Sequence, residues 1–237
     1  MNLQKRKCPI EIRVLPRGAG WTDVEWFVSS EMDEPLVFTA SYLSNLFGDF
    51  ILALYYLHPN QFETTRGDSI VEHKLALCDS RTDEIVKLYD VGEPHPIGSY
   101  REIPYRAKFH WEEEPGGSTW VLTRNPTEDT SFIVKLNLTV ERYSVEDDDY
   151  KNTEYSFEFE YHDLCYAVAK AMTDVMKNYG FYGYHYSTSD NGINVHQLVF
   201  IKAVALSCTS LIEPKHRTMG KATTDFENEI KLLLFDM

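Results

Sequence analysis

Carboxylates are the side chains this sequence concentrates. Glu141, Glu146, Asp147, Asp148, Asp149, Glu154, Glu158 and Glu160 stand against Arg142 and Lys151 alone, so a formal −6 of the chain's −14 falls between residues 141 and 160. Clustered carboxylates can divide acid and base work between them, ligate a hard cation, or attract a basic partner. Acid–base work needs one member in a dry pocket that lifts its pKa, whereas Glu158 and Glu160 are predicted to stand in water. A calcium loop of the EF-hand kind needs spaced oxygens, a glycine and a closing glutamate, which Glu146-Asp147-Asp148-Asp149 lacks. A solvated loop would also carry such a run. The adjoining glutamates on one strand face favour a docking surface, because charge fixed in a plane focuses potential better than a floppy tail. Tyr143, Tyr150 and Tyr155 lie near enough to add amphipathic contact. The predicted partner-binding set is Glu146, Asp147, Asp148, Asp149, Tyr150, Glu154, Glu158 and Glu160, and the expected partner is a basic protein.

Other chemistries lack their spacing. There is no G-x-x-x-x-G-K-[ST] phosphate cradle, and Gly116 and Gly117 belong to a turn between strands. H-E-x-x-H is absent, and the histidines at 58, 73, 95, 110, 162, 185, 196 and 216 do not fall at ligand spacing. No G-x-S-x-G elbow occurs, and Cys165 sits on the apolar side of a predicted helix. No catalytic residue, cofactor or metal ligand is assigned. The enzymatic alternative is a small hydrolase or small-molecule-binding protein whose site is assembled from distant residues, with Tyr184, His185 and Trp120 lining a cleft. The aromatic run 181–186 that supplies two of them reads more simply as a connector packed at the rim of the core.

The elements that must hold the carboxylates are strands. Phe132, Val134, Leu136, Leu138 and Val140 alternate with polar residues, as do Tyr155, Phe157, Phe159 and Tyr161, so a hairpin setting Val140 against Phe157 buries both stripes and leaves the glutamates outside. A one-residue slip would bury carboxylates. Residues 104–112 and 118–124 flank Glu114-Pro115-Gly116-Gly117, which suits a type II turn and sets Trp111 against Trp120 and Phe109 against Leu122. Further hairpins are predicted over 10–16 with 21–28 and over 70–78 with 84–91.

Helical spacing marks four segments. Leu43, Leu46, Phe47, Phe50, Ile51, Leu54 and Leu57 predict a helix over 42–57, capped by Thr39 or Ser41 and stopped at Pro59. Leu164, Cys165, Val168, Met172, Val175, Met176 and Tyr179 predict a second, ended by Gly180. Asn194 with Gln197 reads as the capping box of a third over 195–207, although its apolar run also suits a buried strand; Thr224 with Glu227 caps a short fourth.

The expected fold is one α+β domain over residues 1–237: a mainly antiparallel sheet of about eight strands with three or four helices packed on one face. With 43% hydrophobic and 25% charged residues the composition is that of a folded domain, and no apolar run reaches bilayer length. No membrane is expected as a partner, and the negative balance argues against nucleic acid. The opening residues lack an apolar export segment, and Cys8, Cys78, Cys165 and Cys208 are widely spaced, so a cytoplasmic chain with reduced thiols is expected.

The stretch Trp111-Glu112-Glu113-Glu114-Pro115-Gly116-Gly117-Ser118-Thr119-Trp120, with Asp163 to Gly180 and Gly183-Tyr184, resembles small bacterial proteins of the polymorphic-toxin immunity type. The resemblance spans about a third of the chain, and its motifs specify a turn and a helix end. It implies a non-enzymatic cytoplasmic protein that neutralises a toxin domain, often by covering it with acidic residues. It transfers no functional residue.

Overall fold

A computed structural model describes residues 3–18, 20–41, 46–58, 105–113, 115–124, 131–188, 195–208, 217–218, 221–222 and 225–237. The class is α+β. Two compact units partition the chain, one of residues 1–51 with 162–237 and one of residues 52–161. The strands predicted at 70–78 and 84–91 lie outside the described residues.

In the first unit, β1 (Ile10–Gly18) and β2 (Trp21–Val28) form the expected hairpin. Ile10 opposes Val28, Ile12 opposes Trp26 and Val14 opposes Val24, and all six are buried. Cross-strand apolar pairs on one pleat face are what stabilise such a ribbon. A strand absent from the sequence reading, β3 (Leu36–Ala40), pairs with the other side of β2. Thr39, expected as a helix cap, lies in β3 and donates its hydroxyl to Asp23 Oδ1 at 3.1 Å.

The predicted first helix is α1 (Leu46–Leu57), its expected start lying outside the described residues. Trp26 stacks on Phe50 at 6.0 Å. The second helix, α2 (Tyr161–Thr188), buries Leu164, Cys165, Val168, Met172 and Val175. Gly180 takes φ 68° and interrupts it, as predicted, but helical geometry then resumes through the residues expected to form an irregular connector.

The alternation between helix and strand at 195–207 resolves as α3 (Val195–Ala205). A two-residue ribbon, β8 (Arg217–Thr218) with β9 (Lys221–Ala222), precedes α4 (Phe226–Leu234). The cap of α4 is Asp225, whose Oδ1 accepts the Asn228 N–H at 3.2 Å.

In the second unit, β4 (Tyr105–Glu112), β5 (Gly116–Arg124), β6 (Ile133–Ser144) and β7 (Asp149–Glu160) make an antiparallel sheet in that order. The described strands therefore form sheets of three, four and two, not the single sheet of about eight that was expected. The chain leaves β3 into a helix, so no strand follows directly to extend the first sheet.

Both central hairpins keep the predicted faces and change register. Phe109 opposes Trp120 and Trp111 opposes Ser118, because the turn closes where the Glu113 N–H donates to Gly116 O, one residue earlier than a 114–117 turn. Val140 opposes Thr153, and Leu136 opposes Phe157. Shifts by an even number of residues preserve side-chain parity, so the same apolar positions stay buried. Gly116 has φ 113°, and a Cβ there would lie 2.3 Å from the Glu141 carbonyl oxygen of β6.

Candidate functional site: the acidic β6–β7 hairpin

The hairpin is longer and tighter than its apolar stripe suggested. Strands of twelve residues each are joined by residues 145–148, with Asp148 in a left-handed conformation at φ 50°. One face carries Val134, Leu136, Leu138 and Val140 of β6 with Phe157 and Phe159 of β7, all buried. Tyr155 belongs to this side, half-buried and stacked on Phe157 at 6.4 Å, on the face opposite that of Tyr150.

The other face presents Tyr150, Asn152, Glu154, Ser156, Glu158 and Glu160, all exposed. Alternation alone puts them there. Opposite them in register stand Tyr143, Glu141, Thr139, Asn137, Lys135 and Ile133. Ser156 donates to Asn137 Oδ1 at 2.9 Å. Although Lys135 faces Glu158, none of Glu154, Glu158 and Glu160 enters an ion pair among the described residues. The three carboxylates span roughly 20 Å of strand at about 3.4 Å per residue.

The acids of the turn behave differently. Asp147 accepts the Ser144 hydroxyl at 2.8 Å and pairs with Lys151, which together hold its carboxyl below the ordinary carboxylate range, the lysine contributing most. Asp148 accepts the Tyr143 hydroxyl, and that bond raises the phenol's pKa. Asp149 Oδ1 takes the Tyr150 N–H at 2.8 Å. The rings of Tyr143 and Tyr150 meet edge to face at 5.4 Å and 66°. Glu146 is exposed in the turn. Of the predicted set, then, Tyr150, Glu154, Glu158 and Glu160 share one face, while Asp147, Asp148 and Asp149 are engaged in building the turn.

Three other arrangements were not foreseen. On β4 and β5, His110 Nδ1 lies 2.9 Å from Thr119 Oγ1, and its Nε2 lies 3.7 Å from Glu112 Oε2. Deeper in the same unit, the buried guanidinium of Arg124 stands over the Phe132 ring at 5.0 Å. Phe132 stacks on Tyr161 at 4.4 Å, Tyr161 donates to Leu54 O at 2.7 Å, and the buried His58 ring lies 5.8 Å from Tyr161. Arg124 shares the parity of Trp120 and Leu122, so the strand pattern already placed it inside.

In the first unit, Lys202 of α3 is fully buried and donates to Leu233 O at 2.9 Å and Phe235 O at 3.0 Å. Those carbonyls end α4, where a cation complements the helix dipole. Burial lowers the ammonium to about 8, against the opposing pull of Asp236. Asp236 itself pairs with Lys177 and Lys5, which hold it at about 2.

Trp120 is fully buried, between Phe109 at 6.0 Å and Trp111 at 4.8 Å, so it forms core and not the wall of a cleft. Among the described residues no three histidine, cysteine, aspartate or glutamate side chains gather where a metal ion would be held. Cys8, Cys165 and Cys208 are free thiols, and burial raises those of Cys8 and Cys208. No helix among the described residues is long and apolar enough to cross a membrane. No protein-family model, curated protein or solved structure matches the chain.

Proposed function

We infer that this chain is a non-catalytic binding protein that takes a basic protein partner onto the β6–β7 hairpin, in the manner of an immunity protein covering a toxin domain. One observation carries the reading: Glu154, Glu158 and Glu160 stand exposed on one strand face and outside any ion pair among the described residues, beside the Tyr143–Tyr150 pair. Fixed like charges speed encounter with a basic surface, and tyrosines supply the contact area that holds it. Added salt is expected to slow association. The test is capture of a partner from the native cell, followed by Glu154→Lys/Glu158→Lys/Glu160→Lys. Loss of the captured protein supports the site; unchanged capture removes it.

A second reading draws on the hydroxyl–imidazole–carboxylate series Thr119–His110–Glu112, whose contacts suit a hydrolase relay. It lies on the half-exposed side of the sheet. Ester hydrolysis that disappears in His110→Ala would install it in place of docking.

A further inference from the structure

Among the described strands β7 is the outer strand of its sheet, and the ladder reveals where its backbone points. The Tyr161 N–H donates to Phe132 O at 2.9 Å, one step beyond the Ile133–Glu160 pair and in the same register. Hydrogen-bonded pairs alternate with non-bonded pairs in an antiparallel ladder. Phe159, Phe157, Tyr155 and Thr153 therefore bond inward to β6, while the N–H and C=O groups of Glu160, Glu158, Ser156, Glu154 and Asn152 aim outward. Tyr150 agrees, since its N–H is taken by the Asp149 side chain. The residues whose backbones face outward are the same ones whose side chains form the glutamate row.

An open strand edge is a template for another strand. Charge decides which strand it accepts. A second copy of β7 laid alongside would set glutamates among glutamates, which disfavours self-pairing. We propose that β7 receives an antiparallel strand from its partner, bearing Lys or Arg opposite Glu160, Glu158 and Glu154, a spacing of i, i+2 and i+6, with apolar residues at i+1, i+3 and i+5. This rests on the docking reading above and adds how the partner is held. Main-chain bonds provide the adhesion, the basic residues set the register, and the intervening apolar residues lie along the side of Phe159, Phe157 and Tyr155.

The probe is the end-blocked peptide Lys-Val-Lys-Val-Thr-Val-Lys, titrated to millimolar concentration against the full chain. Binding is expected to slow amide exchange at Glu154, Ser156, Glu158 and Glu160. N-methylation of the lysine amides, which would face β7, is expected to weaken binding at least about tenfold, and N-methylation of the valine amides by less than about twofold. Absence of peptide binding, or equal effects of the two methylation patterns, overturns strand addition. Poly-D,L-lysine, which cannot hold a regular strand, isolates the charge. If it binds the wild type and is lost on Glu154→Gln/Glu158→Gln/Glu160→Gln while the methylation patterns behave alike, docking stands and strand addition falls. If it binds both proteins equally, the docking surface itself is wrong.

Discussion

Lys202 and the glutamate row of β7 handle charge in opposite ways. Lys202 occupies a helix that is apolar nearly all round, so its ammonium is carried inside, where two carbonyls receive it and burial depresses its pKa to about 8. Glu154, Glu158 and Glu160 alternate with aromatic residues on a strand, so every second position is returned to water. The period of the surrounding apolar residues, not the charge, decides whether an ionised group becomes part of the packing or part of the surface.

The sharpest way to break this contrast is to exchange the two regimes. Leu138→Glu places a carboxylate at a position that is 0% exposed, and denaturant titration should show a loss of about 3 kcal/mol or more. Lys202→Glu aims a carboxylate at the Leu233 and Phe235 carbonyls and should cost about 3–5 kcal/mol by the same measurement.

A smaller effect follows from titration. Between about 8 and 10.5 the folded chain binds fewer protons at Lys202 than the unfolded chain does, so this lysine's contribution to stability rises with pH across that window. Measured at about pH 7 and about pH 10, wild type should gain on the order of 1–3 kcal/mol relative to Lys202→Met. The raised thiols of Cys8 and Cys208 act in the other direction at high pH and cancel in the comparison.

On the exposed side, Glu154→Gln/Glu158→Gln/Glu160→Gln should leave Tm within about 2 °C while abolishing attraction to a basic partner. A large fall in Tm would mean the row is structural. Least of all, Asp147→Asn should remove only a shallow acid-side dependence. Its folded pKa lies below 3.8, so its contribution is present above that value and is lost as pH falls through the folded pKa, a change readable by NMR titration of wild type against the variant.

Faces were legible in the sequence, and registers were not. Alternation assigned the buried and exposed sides of β1, β2, β5, β6 and β7 because parity survives even-numbered slips. The β6–β7 pairing was displaced because residues 141–144 and 149–153 extend both strands with polar side chains, which leave no apolar signal where the strands truly end. The four-residue turn depends on Asp148 accepting a left-handed conformation, which composition does not announce. β3 was missed because five residues, one of them the exposed Val37, offer too little alternation before the helical period begins. In α4 Phe226, Ile230 and Leu234 recur at helical spacing, yet that ridge is exposed and Leu232 is the buried residue. Periodicity marks a face, but only a neighbouring element decides whether the face is covered. Lys202 left a signal that went unused: a single cation inside an apolar run must find internal acceptors or unfold the run.

Gly116 deserves the last word among these positions because its backbone has no room to spare. With the Glu141 carbonyl oxygen 2.3 Å from where a methyl group would sit, the β4–β5 turn and the acidic strand's neighbour are locked at one point. Glu146, exposed in the acidic turn, can be exchanged for another polar group without moving the chain, but any sequence that keeps this sheet must keep glycine at position 116. In searching genomes for kindred chains, a glycine 25 positions ahead of the residue equivalent to Glu141 is a better fingerprint than the acid-rich loop.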